Sequence, residues 1–364
     1  MSAQRRPLRW RRTAIWSAAA GALLVVAPSG AALAGPAAQP SPAGGSPVCR
    51  VRDSRLTEIS GMAATDTGFV VVNDGADEAS RRRIFFLDSH CRVVRALRYP
   101  SRPRDTEDLA VAPDGTIWIA DIGDNDRSRD TVAVWKLPRG GDRPVLHRLS
   151  YPDGPHDAEA LLLTGDGRPL IVTKQGGAAG IYTPTGDPVP GATVPMVRRG
   201  EVELPGTDTS NPFGFLGRAV VTGGAVDRDG RRVVLRTYAD AFEFDVPDGD
   251  VIAALTTGRP RVIPLPDEPQ GESIAYAPDG RFLLTVSETA DQPAGTRPTI
   301  LRYPTPRPPS ATPRPTAGVS RSPSATGPPR RGDFRGAVGV LVLVGVGLLG
   351  AGLFGTVRSR RAGR

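Results

Sequence analysis

The chain has 364 residues, with 46 Lys+Arg against 38 Asp+Glu, a formal net charge of +8 and two cysteines. The positive excess sits at the ends: five Arg fall in residues 1–34 and ten in residues 305–364, where Asp333 is the one acid. That leaves 31 basic and 37 acidic side chains on residues 35–304, about −6, which excludes nucleic acid as a partner because such binding needs a basic footprint.

Residues 1–34 read as a secretory signal peptide. Arg5 to Arg12 are basic, Thr13 to Val26 are apolar and small, and Ala32-Leu33-Ala34 is a small-x-small cleavage pattern. An uncleaved anchor is the alternative, and Arg11-Arg12 leaves the Sec and Tat routes both open. Residues 35–47 form a short linker. Val48 to Arg52 has strand character.

One phrase then returns five times. It begins at Ser60, Glu107, Glu159, Thr222 and Glu272, and in each copy a turn glycine follows eight residues later, at Gly68, Gly115, Gly167, Gly230 and Gly280. Fixed self-similarity at this period marks an array, most often a β-propeller. A second apolar strand follows each turn: Phe69-Val72, Thr116-Ala120, Leu170-Thr173, Val233-Thr237 and Phe282-Val286. A third comes next: Ile84-Leu87, Val132-Leu137, Gly180-Thr183, Ala241-Val246 and Thr299-Tyr303. A fourth is visible in four copies: Val93-Tyr99, Val145-Tyr151, Val197-Leu204 and Arg261-Leu265. Pro100, Pro152, Pro205 and Pro266 close these strands at an outer edge, where no ladder bond is lost.

The predicted fold is all-β: a β-propeller of five four-stranded blades over residues 48–304, plus one C-terminal transmembrane helix. The 63-residue interval between the third and fourth copies leaves six blades as the alternative. The fifth copy lacks its outermost strand, and the strand near Val48 is the piece available to complete it, so that no edge stays unpaired. A disulfide from Cys49 to Cys91 would lock that seam, as expected for a lone cysteine pair outside the membrane. Two free buried thiols are the alternative.

Residues 305–335, dense in Pro, Ser, Thr and Arg, cannot bury enough apolar surface to fold and read as an extended stalk. Residues 336–357 follow, rich in Val, Leu and Gly. From Ala337 to Val357 they hold no charge and are long enough to cross a hydrocarbon core of roughly 30 Å. The basic tail 358–364 places the C-terminus in the cytoplasm and the body outside the cell membrane. The membrane, through this helix, is one expected partner.

In a propeller the loop before each first strand and the loop after each second strand open on one face. This gathers Asp105-Thr106-Glu107-Asp108, His156-Asp157-Ala158-Glu159 and Gln270-Gly271-Glu272 with Asn73-Asp74, residues 121–126, Lys174 and Ser287-Glu288. Carboxylates crowded at one channel mouth repel each other unless a cation offsets them. A hard ion such as Ca²⁺, bound by oxygens, is the natural resolution. Asp74, Glu107, Asp121, Glu159, Lys174, Glu272 and Glu288 are the candidate ligand-binding set. Glu107, Glu159, Glu272 and Asp121 are the candidates for catalysis, and Asp121, Asp124 and Asn125 a candidate metal loop. Ordinary solvated turns are the plainer reading of any single one of these acids. No Gly-x-Ser-x-Gly elbow and no His/Cys zinc cluster is present.

The segments Thr57-Glu58-Ile59-Ser60-Gly61-Met62, Asn73-Asp74-Gly75, Asp105-Thr106-Glu107-Asp108-Leu109-Ala110 and Asp121-Ile122-Gly123-Asp124-Asn125 resemble exported bacterial propellers. These are related to phytase-like and esterase-like propellers and, more broadly, to the NHL and WD40-like arrays. The resemblance covers most of residues 50–304. It implies a propeller and, in some relatives, calcium-dependent hydrolysis, and it places Glu107, Asp121, Asp124 and Glu159 at the acidic mouth. Basic residues that would grip a polyphosphate are sparse there. The function expected is capture of an extracellular small molecule, glycan or protein at that mouth. The alternative is calcium-assisted hydrolysis of phosphoesters, esters, lactones or glycans by the same carboxylates.

Overall fold

The computed structural model describes residues 44–75 and 78–305. The expected signal peptide, transmembrane helix and basic tail lie outside these residues, as do the stalk beyond Thr305 and the linker before Gly44. Among the described residues no helix is long and apolar enough to cross a membrane.

The described chain is all but two short helices and a 3₁₀ turn built of strands. After β1 (Ser46–Arg50) come four-strand meanders. The first is β2 (Ile59–Thr65), β3 (Gly68–Asn73), β4 (Arg83–Asp88) and β5 (Val93–Arg98). The second is β6 (Thr106–Val111), β7 (Ile117–Asp121), β8 (Val132–Leu137) and β9 (Val145–Ser150). The third is β10 (Ala158–Leu163), β11 (Pro169–Thr173), β12 (Ala178–Pro184) and β13 (Thr193–Glu203). Helix α1 (Gly214–Ala219) precedes β14 (Gly223–Val226), β15 (Arg232–Arg236) and β16 (Asp240–Asp245). Helix α2 (Val251–Thr257) then precedes β17 (Arg261–Pro264), and β18 (Gln270–Tyr276), β19 (Phe282–Glu288) and β20 (Thr299–Pro304) finish the series.

Each meander is antiparallel, and the turn glycine of every copy has a positive φ: Gly68 151°, Gly115 84°, Gly167 80°, Gly230 66° and Gly280 64°. That backbone region is open to glycine at little cost, which explains the residue at the fixed eighth place. The last sheet runs β1-β20-β19-β18, so the N-terminal strand supplies its outer edge. The Cys49–Cys91 disulfide forms, with Cα atoms 5.8 Å apart, and ties β1 to the turn between β4 and β5. Closing a 42-residue separation contributes about 4 kcal/mol on a chain-entropy account. A parallel pairing of Thr193–Pro195 with Arg148–Ser150 joins the second and third meanders into one eight-stranded sheet. The interval that left room for a further blade holds α1 and irregular chain.

The core is distributed between sheets. Leu109, Ile119 and Trp135 pack with Val70 and Ile84; Ile171 and Tyr182 with Ala120 and Val134; Val233 and Phe242 with Leu162 and Val172. Ile274 and Leu283 pack with Val234 and Ile263, and Leu284 and Val286 with Met62 and Phe85, which returns the series to its start. The first strands likewise contact one another in the cycle β2, β6, β10, β14, β18, β2. Asp108 of β6 pins this centre. Its buried carboxylate accepts from Leu161 N of β10 at 2.8 Å and from the Gly224 backbone of β14.

Candidate functional site

The first strands carry a shared irregularity. The ladder shifts register between Ile59 and Gly61, Thr106 and Asp108, Ala158 and Ala160, and Gly271 and Ser273. The skipped residues are Ser60, Glu107, Glu159 and Glu272, the first positions of the repeated phrase. A bulge takes its residue out of the ladder and re-aims the side chain. At Ser60 the hydroxyl then donates to Thr106 O of the neighbouring strand at 2.8 Å; Thr222, just before β14 and not bulged, makes the equivalent bond to Gly271 O at 2.8 Å. A glutamate is longer than serine or threonine, and from the same place the three glutamates instead reach inward and converge. Carboxylate oxygens of Glu107, Glu159 and Glu272 lie within 4.8 Å of one another, with each residue buried.

A second trio, Asp74, Asp105 and Glu107, meets the same distance limit and shares Glu107. Glu288, at the end of β19, joins the group through Gln270, whose Nε2 donates to Glu288 Oε2 at 2.8 Å and to Glu272 Oε1 at 3.0 Å. Lys174 Nζ donates to Glu159 Oε1 at 2.5 Å and lies 5.8 Å from the centre of the Tyr238 ring. Two glycines make room for the acids. A Cβ on Gly123 would collide with Glu107 Oε1, and one on Gly75 with Asp105 Oδ1.

Burial, and then repulsion by neighbouring carboxylates, sets the electrostatics. Both push the Glu107 and Glu159 carboxyls well above the ordinary carboxylate range. Burial raises Glu272 against the pull of Gln270 and Lys174. Burial and Glu272 push Glu288 up to about 11, and burial and Asp74 push Asp105 up to about 7. Burial pulls the Lys174 ammonium down, but the Glu159 carboxylate outweighs it and, with Tyr238 and Glu272, holds the group above the ordinary lysine range. Oε2 of Glu159, Oε2 of Glu272 and Oε1 of Glu288 are buried with no hydrogen-bond partner. A buried acceptor without a donor costs about 1–3 kcal/mol, more if charged, so these oxygens fit a bound cation.

Not every sequence candidate joins this group. Asp121 is spent on its own loop: Arg129 Nη2 donates to Oδ1 at 3.0 Å, Trp135 Nε1 to Oδ2 at 3.3 Å, and Arg104 N and Asp105 N also bond to it. It therefore positions the segment that carries Asp105 to the mouth. Asp124 caps the same loop through Ser128 N and Arg129 N, both at 2.9 Å, and Asn125 is exposed. His156 lies apart, with Asp153 at 2.9 Å and the Tyr182 hydroxyl at 3.1 Å. Asp74, Glu107, Glu159, Lys174, Glu272 and Glu288 are brought together. Sequence reasoning missed Tyr238, whose hydroxyl stands 3.5 Å from Glu272 Oε1, and the space left by Gly123.

Comparison with known proteins leaves the family open. No family model and no curated protein matches the chain. Among solved structures, a gluconolactonase from Xanthomonas campestris is similar at 15% identity, covering 72% of this chain and 99% of its own, with a TM-score of 0.39. A luciferin-regenerating enzyme is similar at 13% identity, with 69% and 78% covered and a TM-score of 0.39. Virginiamycin B lyase from Staphylococcus aureus is similar at 12% identity, with 71% and 73% covered and a TM-score of 0.31. At these scores they add no argument to the strand order and none about a substrate.

Proposed function

We propose that this chain is an exported five-bladed propeller, held at the cell surface by its C-terminal apolar segment. It captures an oxygen-rich extracellular ligand through a divalent cation at the Glu107–Glu159–Glu272 end of its channel. One observation carries the reading: three bulged glutamates from three different blades converge, and two of them keep buried oxygens that no donor reaches. Oxygens on one Ca²⁺ stand at most about 5 Å apart, so the trio can share an ion with little rearrangement. The all-oxygen donor set favours calcium over softer metals. The count of five blades is supported by the cycle of first-strand contacts β2, β6, β10, β14, β18 and by β1 adding the fourth strand to the last sheet.

The test is calorimetric titration of the purified full chain with Ca²⁺, paired with thermal melting. Saturable binding and a raised melting temperature are expected, and both should vanish in Glu159→Gln. Absence of binding in the wild-type chain ends the reading.

Hydrolysis is the second reading, and Lys174 favours it. A charged ammonium beside a bound cation would stabilise negative charge developing on an ester or phosphoester oxygen. Turnover of a lactone, aryl ester and aryl phosphate panel, dependent on Ca²⁺ and abolished in Lys174→Met, would establish it. No turnover, with Ca²⁺ binding intact, leaves capture as the function.

A further inference from the structure

The two carboxylate trios are joined through one residue. Glu107 belongs both to the buried trio with Glu159 and Glu272 and to the half-buried trio with Asp74 and Asp105. A carboxylate has two oxygens and can hold one ion on each. Glu107 is placed for this: it is only 4% exposed, and the charged groups acting on its carboxyl are the acids of both trios, Glu159, Asp74, Asp105 and Glu272. Asp74 and Asp105 meet in hydrogen-bond contact, an arrangement that two carboxylates sustain only around a shared proton or a cation.

Charge balance points the same way. Six carboxylates gather here, from Asp74, Asp105, Glu107, Glu159, Glu272 and Glu288. Among the described residues the one ion pair made to any of them is Lys174 with Glu159. Fully ionised, the group keeps five negative charges beyond that pair, with the Arg129 guanidinium, itself paired with Asp121, acting on Asp105 alone. One dication leaves about three, which a buried pocket resists strongly, whereas two dications leave about one. Glu288 adds to the negative charge of both trios: its Oε1 is buried without a partner, and its nearest charged neighbours are Glu272 of the inner trio and Asp74 of the outer one. The missing side chains at Gly75 and Gly123 leave the outer trio open where a Cβ would otherwise meet Asp105 or Glu107.

We propose that the mouth is a two-cation centre, with Glu107 bridging an inner divalent ion on Glu159 and Glu272 and an outer one on Asp74 and Asp105. The inner ion is the one on which the proposed function rests; the outer ion is the new assignment. The outer site is less buried and is the face a ligand meets first, so its ion keeps coordination positions for ligand oxygens.

Binding stoichiometry decides the matter. The purified full chain is stripped with chelator, dialysed against Ca²⁺ and assayed for metal and protein. Two ions per chain are expected in the wild type. Asp74→Asn combined with Asp105→Asn should leave one, Glu159→Gln should also leave one, and Glu107→Gln should weaken both by at least tenfold. Near-UV circular dichroism of each variant establishes that it is folded, and the isosteric Asp74→Asn alone serves if the double variant is not. One ion in the wild type, unaffected by the Asp74 and Asp105 changes, overturns the two-ion centre and leaves the single-ion reading standing. No ion overturns both.

Discussion

Glu268 and Glu272 are four residues apart and almost equally buried, at 3% and 4% exposure, yet the fold treats them oppositely. Glu268 accepts from Arg236 Nη2 at 3.1 Å, Thr285 Oγ1 at 2.7 Å, Ser287 Oγ at 3.1 Å and Tyr303 OH at 2.8 Å. It ties β15 to β19 and β20 of the last sheet. Glu243 is a second case, with Arg232, Arg261 and the Tyr276 hydroxyl around it. Glu272 has donors on one oxygen and none on the other, and its nearest charged neighbours include more carboxylates. A buried acid surrounded by donors is part of the framework. A buried acid left short of donors beside other acids marks a place kept for something else.

The comparison can be broken by substitution. The largest effect is expected at the satisfied acid: Glu268→Ala leaves the fully buried Arg236 guanidinium without its counter-charge and should cost about 3–5 kcal/mol, read from urea unfolding. An equally large loss in Glu272→Ala would erase the distinction.

Next comes pH, measured in chelator. The mouth carboxyls have folded-state pKa values raised above their unfolded values near 4, so the folded chain binds more protons than the unfolded one. Stability from these groups is fully present below about pH 4 and is lost as pH rises through Asp105 near 7 and towards Glu288 near 11. The urea midpoint should therefore fall between pH 5 and pH 8 without cation and change less with saturating Ca²⁺. A midpoint that rises over that interval in chelator contradicts the assignment.

A smaller effect is expected from Glu107→Gln in cation-free protein. It removes a carboxyl crowded by other carboxylates without taking a partner from Lys174, and should stabilise by about 1 kcal/mol, the worth of a roughly tenfold change in proton affinity. The smallest is Ser60→Ala, which forfeits one buried hydrogen bond and should cost no more than about 1 kcal/mol, with Ca²⁺ binding unchanged. These melts rank framework against site on a single scale.

Much of the framework was legible in the sequence because its signals are local. Apolar strands between glycine turns set the meanders, and the incomplete fifth copy showed where β1 must go. The two helices were not anticipated. For α2 the signal existed: Asp250 accepts from Ala253 N at 3.0 Å as N-cap, and Val251, Ala254 and Leu255 are the buried face. The parallel contact between β9 and β13 has no local signature at all. At the mouth, the fixed register of the phrase picked out Glu107, Glu159 and Glu272 together. Asp121 looked equivalent because it too ends a strand on the same face. Its diversion depends on Arg129 folding back across eight residues, a contact that neither spacing nor residue type announces.

The pairing of β1 with β20 sets a constraint on time as well as on shape. Cys49 stands opposite Ile300, about 250 residues further along the chain. No early portion of the polypeptide contains both partners, so the β1-β20-β19-β18 sheet stays open until nearly all of the body has been synthesised. Contacts of such long range make folding slow. A chain truncated before Thr299 would lose the strand on which β1 closes, and with it the cooperativity of the whole circle. Refolding of the full chain should accordingly be slower than its strand lengths alone suggest.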